Sequence, residues 1–169
     1  MRLKAIQILA CALLLMLCVY SRCQDPGKKG SITISVNIYK LLMELPNLEI
    51  EYYVSPGVSV YAFNEILIFG KKLKQRNHPV YVFRTGGRYH FIKDGFNRND
   101  VHSGFYAGIS RSMTTKVNNP FLGMDLGYKY YFDNSFNIYP RGLITCSLRD
   151  TAIMPGFEVL LGKTFAPGL

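Results

Sequence analysis

The side chains with the widest chemical range in this 169-residue chain are its histidines, His78, His90 and His102, which recur every twelve positions. His102 is followed by Ser103, the one place where a base and a hydroxyl nucleophile adjoin in sequence. Acyl-transfer chemistry would need the base within hydrogen-bond reach of the hydroxyl. Neighbours on a strand point to opposite faces, and the polar run from Lys93 to Ser103 predicts a turn, so His102-Ser103 is not read as such a pair. His90 shares a strand with Arg88, could be oriented by Glu49 or Glu51, and reads as part of a structural charge network. The even spacing of the histidines reads as coincidence, and no group of Cys or His has metal-ligand spacing. Cys11, Cys18 and Cys23 lie in or beside an N-terminal leader, which leaves Cys146 alone in the mature chain with no disulfide partner. No catalytic residue, metal or cofactor is expected.

Extended elements must hold these side chains. From Gly30 to Phe165 apolar residues recur at every second position, and nothing there has the period of a stable helix. Ile32, Ile34, Val36 and Ile38 alternate with Ser31, Thr33, Ser35 and Asn37. Leu48, Ile50, Tyr52 and Val54 repeat the pattern against Asn47, Glu49 and Glu51. Pro56-Gly57 predicts a tight turn, since proline presets the first turn angle and glycine accepts positive φ. A third strand runs from Val58 to Phe69, and others are predicted over Val80–Ile92, Gly104–Thr115, Phe121–Phe132, Asn137–Leu148 and Gly156–Phe165. The breaks fall at Lys71–Pro79, Lys93–Ser103, Asn118-Asn119-Pro120, Asp133-Asn134-Ser135 and Arg149–Pro155. Eight strands of about ten to thirteen residues match the even number and the length of a barrel that crosses a bilayer.

The sign of the alternation decides between a soluble and a membrane barrel. Glu49, Glu51, Arg84, Arg88, Asp125, Lys129, Arg141 and Glu158 all fall on the face opposite the bulky apolar residues. An eight-stranded lumen holds only side chains or one small ligand, too little for the apolar residues of these strands. The apolar face is therefore expected outside, against lipid, with the eight charged residues paired inside as a structural network. Gly86, Gly108, Gly123, Gly127 and Gly162 would relieve crowding on the interior face. Tyrosine and phenylalanine gather near strand ends, at Tyr52-Tyr53, Tyr89 with Phe91, and Tyr128, Tyr130, Tyr131 and Phe132, where they suit a membrane interface. The competing reading is that these rings pack in a core.

The N-terminus is laid out for export. Arg2 and Lys4 precede the uncharged run Ala5 to Tyr20, sixteen residues that fall short of a spanning helix. The expected organisation is a signal peptide over residues 1–23, a short segment over 24–30, a barrel over 31–165 and a tail over 166–169. An uncleaved anchor and a lipid on Cys23 are the alternatives for the leader. Loss of residues 1–23 removes three bases and no acid, taking the formal net charge from +9 to +6. In an exported chain that balance favours anionic headgroups or lipopolysaccharide-like partners over nucleic acid. Lys71, Lys72, Lys74, Arg76 and His78 form the candidate surface-interaction loop, with a merely solvated basic loop as the other reading.

Asn47-Leu48-Glu49-Ile50-Glu51-Tyr52, Gly87-Arg88-Tyr89-His90-Phe91, Gly104-Phe105-Tyr106-Ala107-Gly108, Gly127 to Phe132 and Pro155-Gly156-Phe157 follow one another through nearly the whole mature chain. In their order and spacing the chain resembles small bacterial outer-membrane barrel proteins of the domain-of-unknown-function kind. These share an architecture with the eight-stranded transmembrane domain of outer membrane protein A. The resemblance implies an all-β, antiparallel up-and-down transmembrane barrel in the bacterial outer membrane, surrounded by outer-membrane lipid and inserted by the barrel assembly machinery. It implies a location and a fold, not a reaction. The expectation is a structural or surface-interaction protein; a soluble periplasmic lipocalin-like carrier of a small apolar ligand and an outer-membrane lipid-modifying enzyme are the alternatives. An open pore is disfavoured by the narrow, charged lumen. With a periplasmic N-terminus, the connections after the first, third, fifth and seventh strands face outward from the cell.

Overall fold

The computed structural model describes residues 29–42, 45, 47–69, 78–91, 99–132 and 136–165. Its strands are β1 (Ile32–Asn37), β2 (Asn47–Ser55), β3 (Val58–Phe69), β4 (His78–His90), β5 (Asn99–Ser112), β6 (Asn118–Tyr131), β7 (Phe136–Ser147) and β8 (Ile153–Phe165). Each pairs antiparallel with the next, and β1 closes on β8 from Ile32↔Phe165 to Asn37↔Leu160, giving a closed barrel. Closure removes every free sheet edge, so no ladder of N–H and C=O groups is left unpaired along the wall. The leader, residues 24–28, the connections 70–77 and 92–98, and the tail 166–169 lie outside the described residues.

The start of β1, the end of β8 and the Pro56-Gly57 turn share one end of the barrel, here the terminal end. The turns at 113–117 and 148–152 and the β1–β2 link share the opposite end. Those two turns carry the positive φ values at Lys116 and Thr151.

Alternation sets the two faces as expected. Ile50, Val60, Phe83, Phe105, Met124, Leu126, Ile144 and Phe157 point out and are exposed, while Glu49, Glu51, Arg88, Lys129 and Arg141 are buried. Water-exposed apolar surface on this scale is unfavourable at about 25 cal/mol per Å², and the barrel turns a continuous band of it outward. Tyr52, Tyr89, Phe91, Tyr128, Tyr130 and Phe132 girdle the terminal end, with Tyr89 edge-on to Phe91 at 5.2 Å and Tyr130 to Phe132 at 5.0 Å.

Several expectations need correction. Tyr53 and Tyr131, grouped with the interface rings, turn inward and join hydroxyls at 2.9 Å. The interior also holds Tyr61, Phe63, Tyr106, Phe121, Tyr139, Leu143 and Leu160, so the apolar face is not wholly external. Ile38 does not extend β1 but opens a one-turn helix, α1 (Ile38–Leu42). Asn37 caps it, its Oδ1 accepting from the Lys40 N–H at 3.2 Å. Asn118, Asn119 and Pro120, expected as a break, begin β6, and β8 starts at Ile153 rather than Gly156. His78 belongs to β4 and not to the preceding loop. His102 and Ser103 lie within β5, on opposite faces, and not in a turn.

The interior glycines are positioned as the crowding argument requires. A Cβ on Gly123 would meet Tyr106 Cζ at 2.3 Å, and one on Gly108 would meet Phe121 Cζ at 2.4 Å. These glycines make room for rings from neighbouring strands. Pro140 leaves its mark on β7: the β6–β7 pairing is interrupted between Gly127↔Arg141 and Tyr130↔Ile138, in an unchanged register, around a residue with no N–H to donate.

Candidate functional site

The candidate site is the barrel interior, and all eight charged residues predicted for it meet there in one connected network. Arg88 is its hub: Nη1 donates to Glu49 Oε1 at 2.9 Å and lies 3.1 Å from Glu51 Oε1, while Nε faces Asp125 Oδ2 at 3.4 Å. Its guanidinium also lies 3.6 Å from the centroid of the Tyr61 ring. Arg141 links the other Glu49 oxygen, at 2.6 Å, to Glu158, which accepts from Arg141 Nε at 2.8 Å and Arg84 Nη2 at 2.5 Å. Lys129 donates to Glu51 and, at 3.0 Å, to the Tyr53 hydroxyl. Tyr61 donates its hydroxyl to Asp125 Oδ2 at 3.0 Å.

This packing follows from strand position. Residues of alternate parity on β2, β4, β6, β7 and β8 converge on an axis too narrow for water-solvated ions, so each charge is met by a counter-charge or a ring. Among the described residues, six buried acids (Glu49, Glu51, Glu65, Asp100, Asp125 and Glu158) face four buried arginine and lysine side chains in the lumen (Arg84, Arg88, Lys129 and Arg141), while Lys163 lies on the outer face of β8 against Phe136 and Phe165. Lys40 adds a fifth cation. It reaches from α1 into the mouth of the lumen to engage Glu65, and Glu158 at 3.2 Å. Lys40, Glu65 and Asp100 were not foreseen: Lys40 lies in the β1–β2 link and Asp100 at the start of β5, and Glu65 precedes the unbroken apolar run Ile66-Leu67-Ile68-Phe69, where alternation is hard to phase.

A second cluster occupies the terminal end. Ser59 Oγ is 2.8 Å from His90 Nε2, and His90 Nδ1 is 2.5 Å from Asp100 Oδ2. That is the order of contacts in a Ser–His–Asp triad, yet Ser59 is fully buried and donates its own proton to Glu51 Oε1 at 2.6 Å. A hydroxyl so engaged is not presented to a substrate. His102 faces the lumen with Nε2 held 2.5 Å from the Tyr139 hydroxyl, while Ser103 lies on the outer face. The expectation that His102-Ser103 is no nucleophile–base pair therefore holds, although for the strand reason and not the turn reason. No group of Cys or His reads as having metal-ligand spacing in the sequence; the fold nevertheless brings one ligand atom each of His90, Asp100 and His102 to within 4.8 Å. The available signal was Asp100-Val101-His102, a same-face pair two residues apart on a strand.

Of the predicted basic loop, Lys71, Lys72, Lys74 and Arg76 lie outside the described residues. At the end of the barrel opposite the Pro56-Gly57 turn, Arg111, Lys116 and Arg149 are exposed.

No protein-family model and no curated protein matches the sequence. Among solved structures, the chain is similar to the crystal structure of the N-terminal β-barrel domain of Pseudomonas aeruginosa OprF. The TM-score is 0.51 at 15% identity, covering 81% of this chain and 98% of that one. The two chains share their fold. The resemblance read from the sequence was to an eight-stranded outer-membrane-type barrel, and this comparison bears out that architecture.

Proposed function

We propose that this chain is a bacterial outer-membrane barrel with a structural and surface-presenting role, neither an enzyme nor an open pore. The observation that carries the reading is its inverted polarity. Charges are gathered and paired inside while leucine, isoleucine, methionine and phenylalanine face out over the full height of the wall. In water that arrangement exposes what should be hidden; in a bilayer each face meets its proper surroundings. The girdle of tyrosine and phenylalanine at the terminal end suits a headgroup layer.

The carrier alternative loses its basis, since the lumen is filled by ion pairs and rings where an apolar ligand would need an apolar cavity. The enzyme alternative has only the buried Ser59–His90–Asp100 contacts, which lack an exposed hydroxyl. With the terminal end in the periplasm, the exposed Arg111, Lys116 and Arg149 form a basic outer rim, and the sequence that joins β3 to β4 contributes the further bases Lys71, Lys72, Lys74 and Arg76. Such a rim fits anionic lipid headgroups and lipopolysaccharide-like molecules. Insertion falls to the barrel assembly machinery.

Fractionation of native cells with protease applied to intact cells tests this reading. Outer-membrane enrichment with cleavage within 70–77 is expected. Recovery in the soluble periplasm would overturn it.

A further inference from the structure

The protons around His90 leave one demand unmet. Ser59 has a single hydroxyl proton and gives it to Glu51, so His90 Nε2 must be the donor in its 2.8 Å contact with Ser59 Oγ. His90 Nδ1 then meets Asp100 Oδ2 only through a second proton, or through a cation in that proton's place. Opposite it, His102 Nε2 is held by Tyr139, and His102 Nδ1 is buried without a hydrogen-bond partner among the described residues. Asp100 Oδ1 is orphaned and buried in the same way.

We propose that His90, Asp100 and His102 bind a first-row divalent transition-metal ion, with zinc as the type, at the terminal end of the lumen. All three ligands come from one hairpin. His90 and His102 are direct partners across the β4–β5 ladder, and Asp100 precedes His102 by two residues on the same face. Their ligand atoms already lie within 4.8 Å of one another. Zinc bonds of about 2 Å in a tetrahedron set ligand atoms about 3.3 Å apart, so the Asp100 carboxylate must rotate away from His90 Nδ1 to admit the ion. Two imidazoles and a carboxylate select zinc, copper or nickel over magnesium and calcium, and leave a fourth position for water. Tyr139 supplies the outer partner that fixes the ring of a metal-ligating histidine. Lys129, a cation of the same region, is neutralised by Glu51. The ion would staple β4 to β5 at the rim.

The test uses the full chain without an affinity tag, folded in detergent, stripped with a chelator and titrated with Zn²⁺ against a chromophoric competitor. One equivalent should bind and raise Tm. Binding should vanish in His102→Ala and in Asp100→Asn, and weaken by about 10- to 100-fold in Tyr139→Phe and in Ser59→Ala, which remove the outer partners of His102 and His90. Zn²⁺ that fails to bind the wild type, or binds His102→Ala equally well, overturns the site and leaves ordered water to fill it. Should the variants not fold, the Co²⁺ complex of the wild type decides. A tetrahedral visible spectrum supports the site, and an octahedral aquo spectrum overturns it.

Discussion

At the scale of single residues, the interior is governed by the cost of leaving a charge without its partner. Arg88 touches Glu49, Glu51 and Asp125 at once, so Arg88→Ala strands carboxylates in a space with no solvent to receive them. A loss of about 3–5 kcal/mol is expected, on the scale measured when one partner of a buried pair is removed. Thermal unfolding in detergent reads it, and an unmoved Tm would refute the network. Sterics set a second test. Gly123→Val would drive a side chain into the Tyr106 ring, whose Cζ is already 2.3 Å from a Cβ built there. Overpacking of that kind costs about 1–3 kcal/mol, and Tyr106→Ala in the same chain should restore part of the loss.

At the scale of elements, the outward faces carry the prediction. Leu126 is exposed on β6, midway along the strand. Leu126→Arg should destabilise the barrel by about 2–4 kcal/mol in lipid bilayers and far less in a soluble-barrel setting; folding yield into vesicles measures the difference. The strands themselves were largely legible, since Ile32 to Asn37 and Asn47 to Val54 alternate with a strong contrast between faces. The start of β5 was not. Its inward set is Asp100, His102 and Gly104, and its outward set includes Val101 and Ser103, so neither face is more apolar than the other and the segment reads as a loop. Asn118, Asn119 and Pro120 mislead similarly: turn-forming residues sit within β6 because the ladder runs on to Asn118↔Arg111 at the rim. Inward rings such as Tyr61 and Phe63 were hidden because a face can mix charge and aromatic, the rings stacking beneath guanidinium groups as Phe63 does under Arg84 at 4.0 Å.

At the scale of the whole molecule, a closed hydrogen-bonded wall and an axis filled with side chains predict a stable barrel without an open channel. The folded barrel should migrate differently on a gel before and after boiling in detergent, and vesicles containing it should retain a trapped sugar-sized dye. Identical migration, or rapid dye loss, would contradict the filled membrane barrel. The residues of the network were readable in advance because their parity could be counted. Their partners could not, since Glu158 meets Arg84 from the opposite side of the barrel, 74 residues away, and no local pattern encodes such a meeting.

That meeting has a consequence for how the barrel is completed. Glu158 arrives on the last strand, and it is the carboxylate shown to receive Arg84. A slip of β8 by one residue would turn Glu158 to the outer face and bring Phe157 and Leu161 inside, because strand faces alternate with a period of two. The charges along the axis thus discriminate among alignments of the seam: a closure that turns Glu158 outward leaves Arg84 and Arg141 without that counter-charge and is the less stable for it.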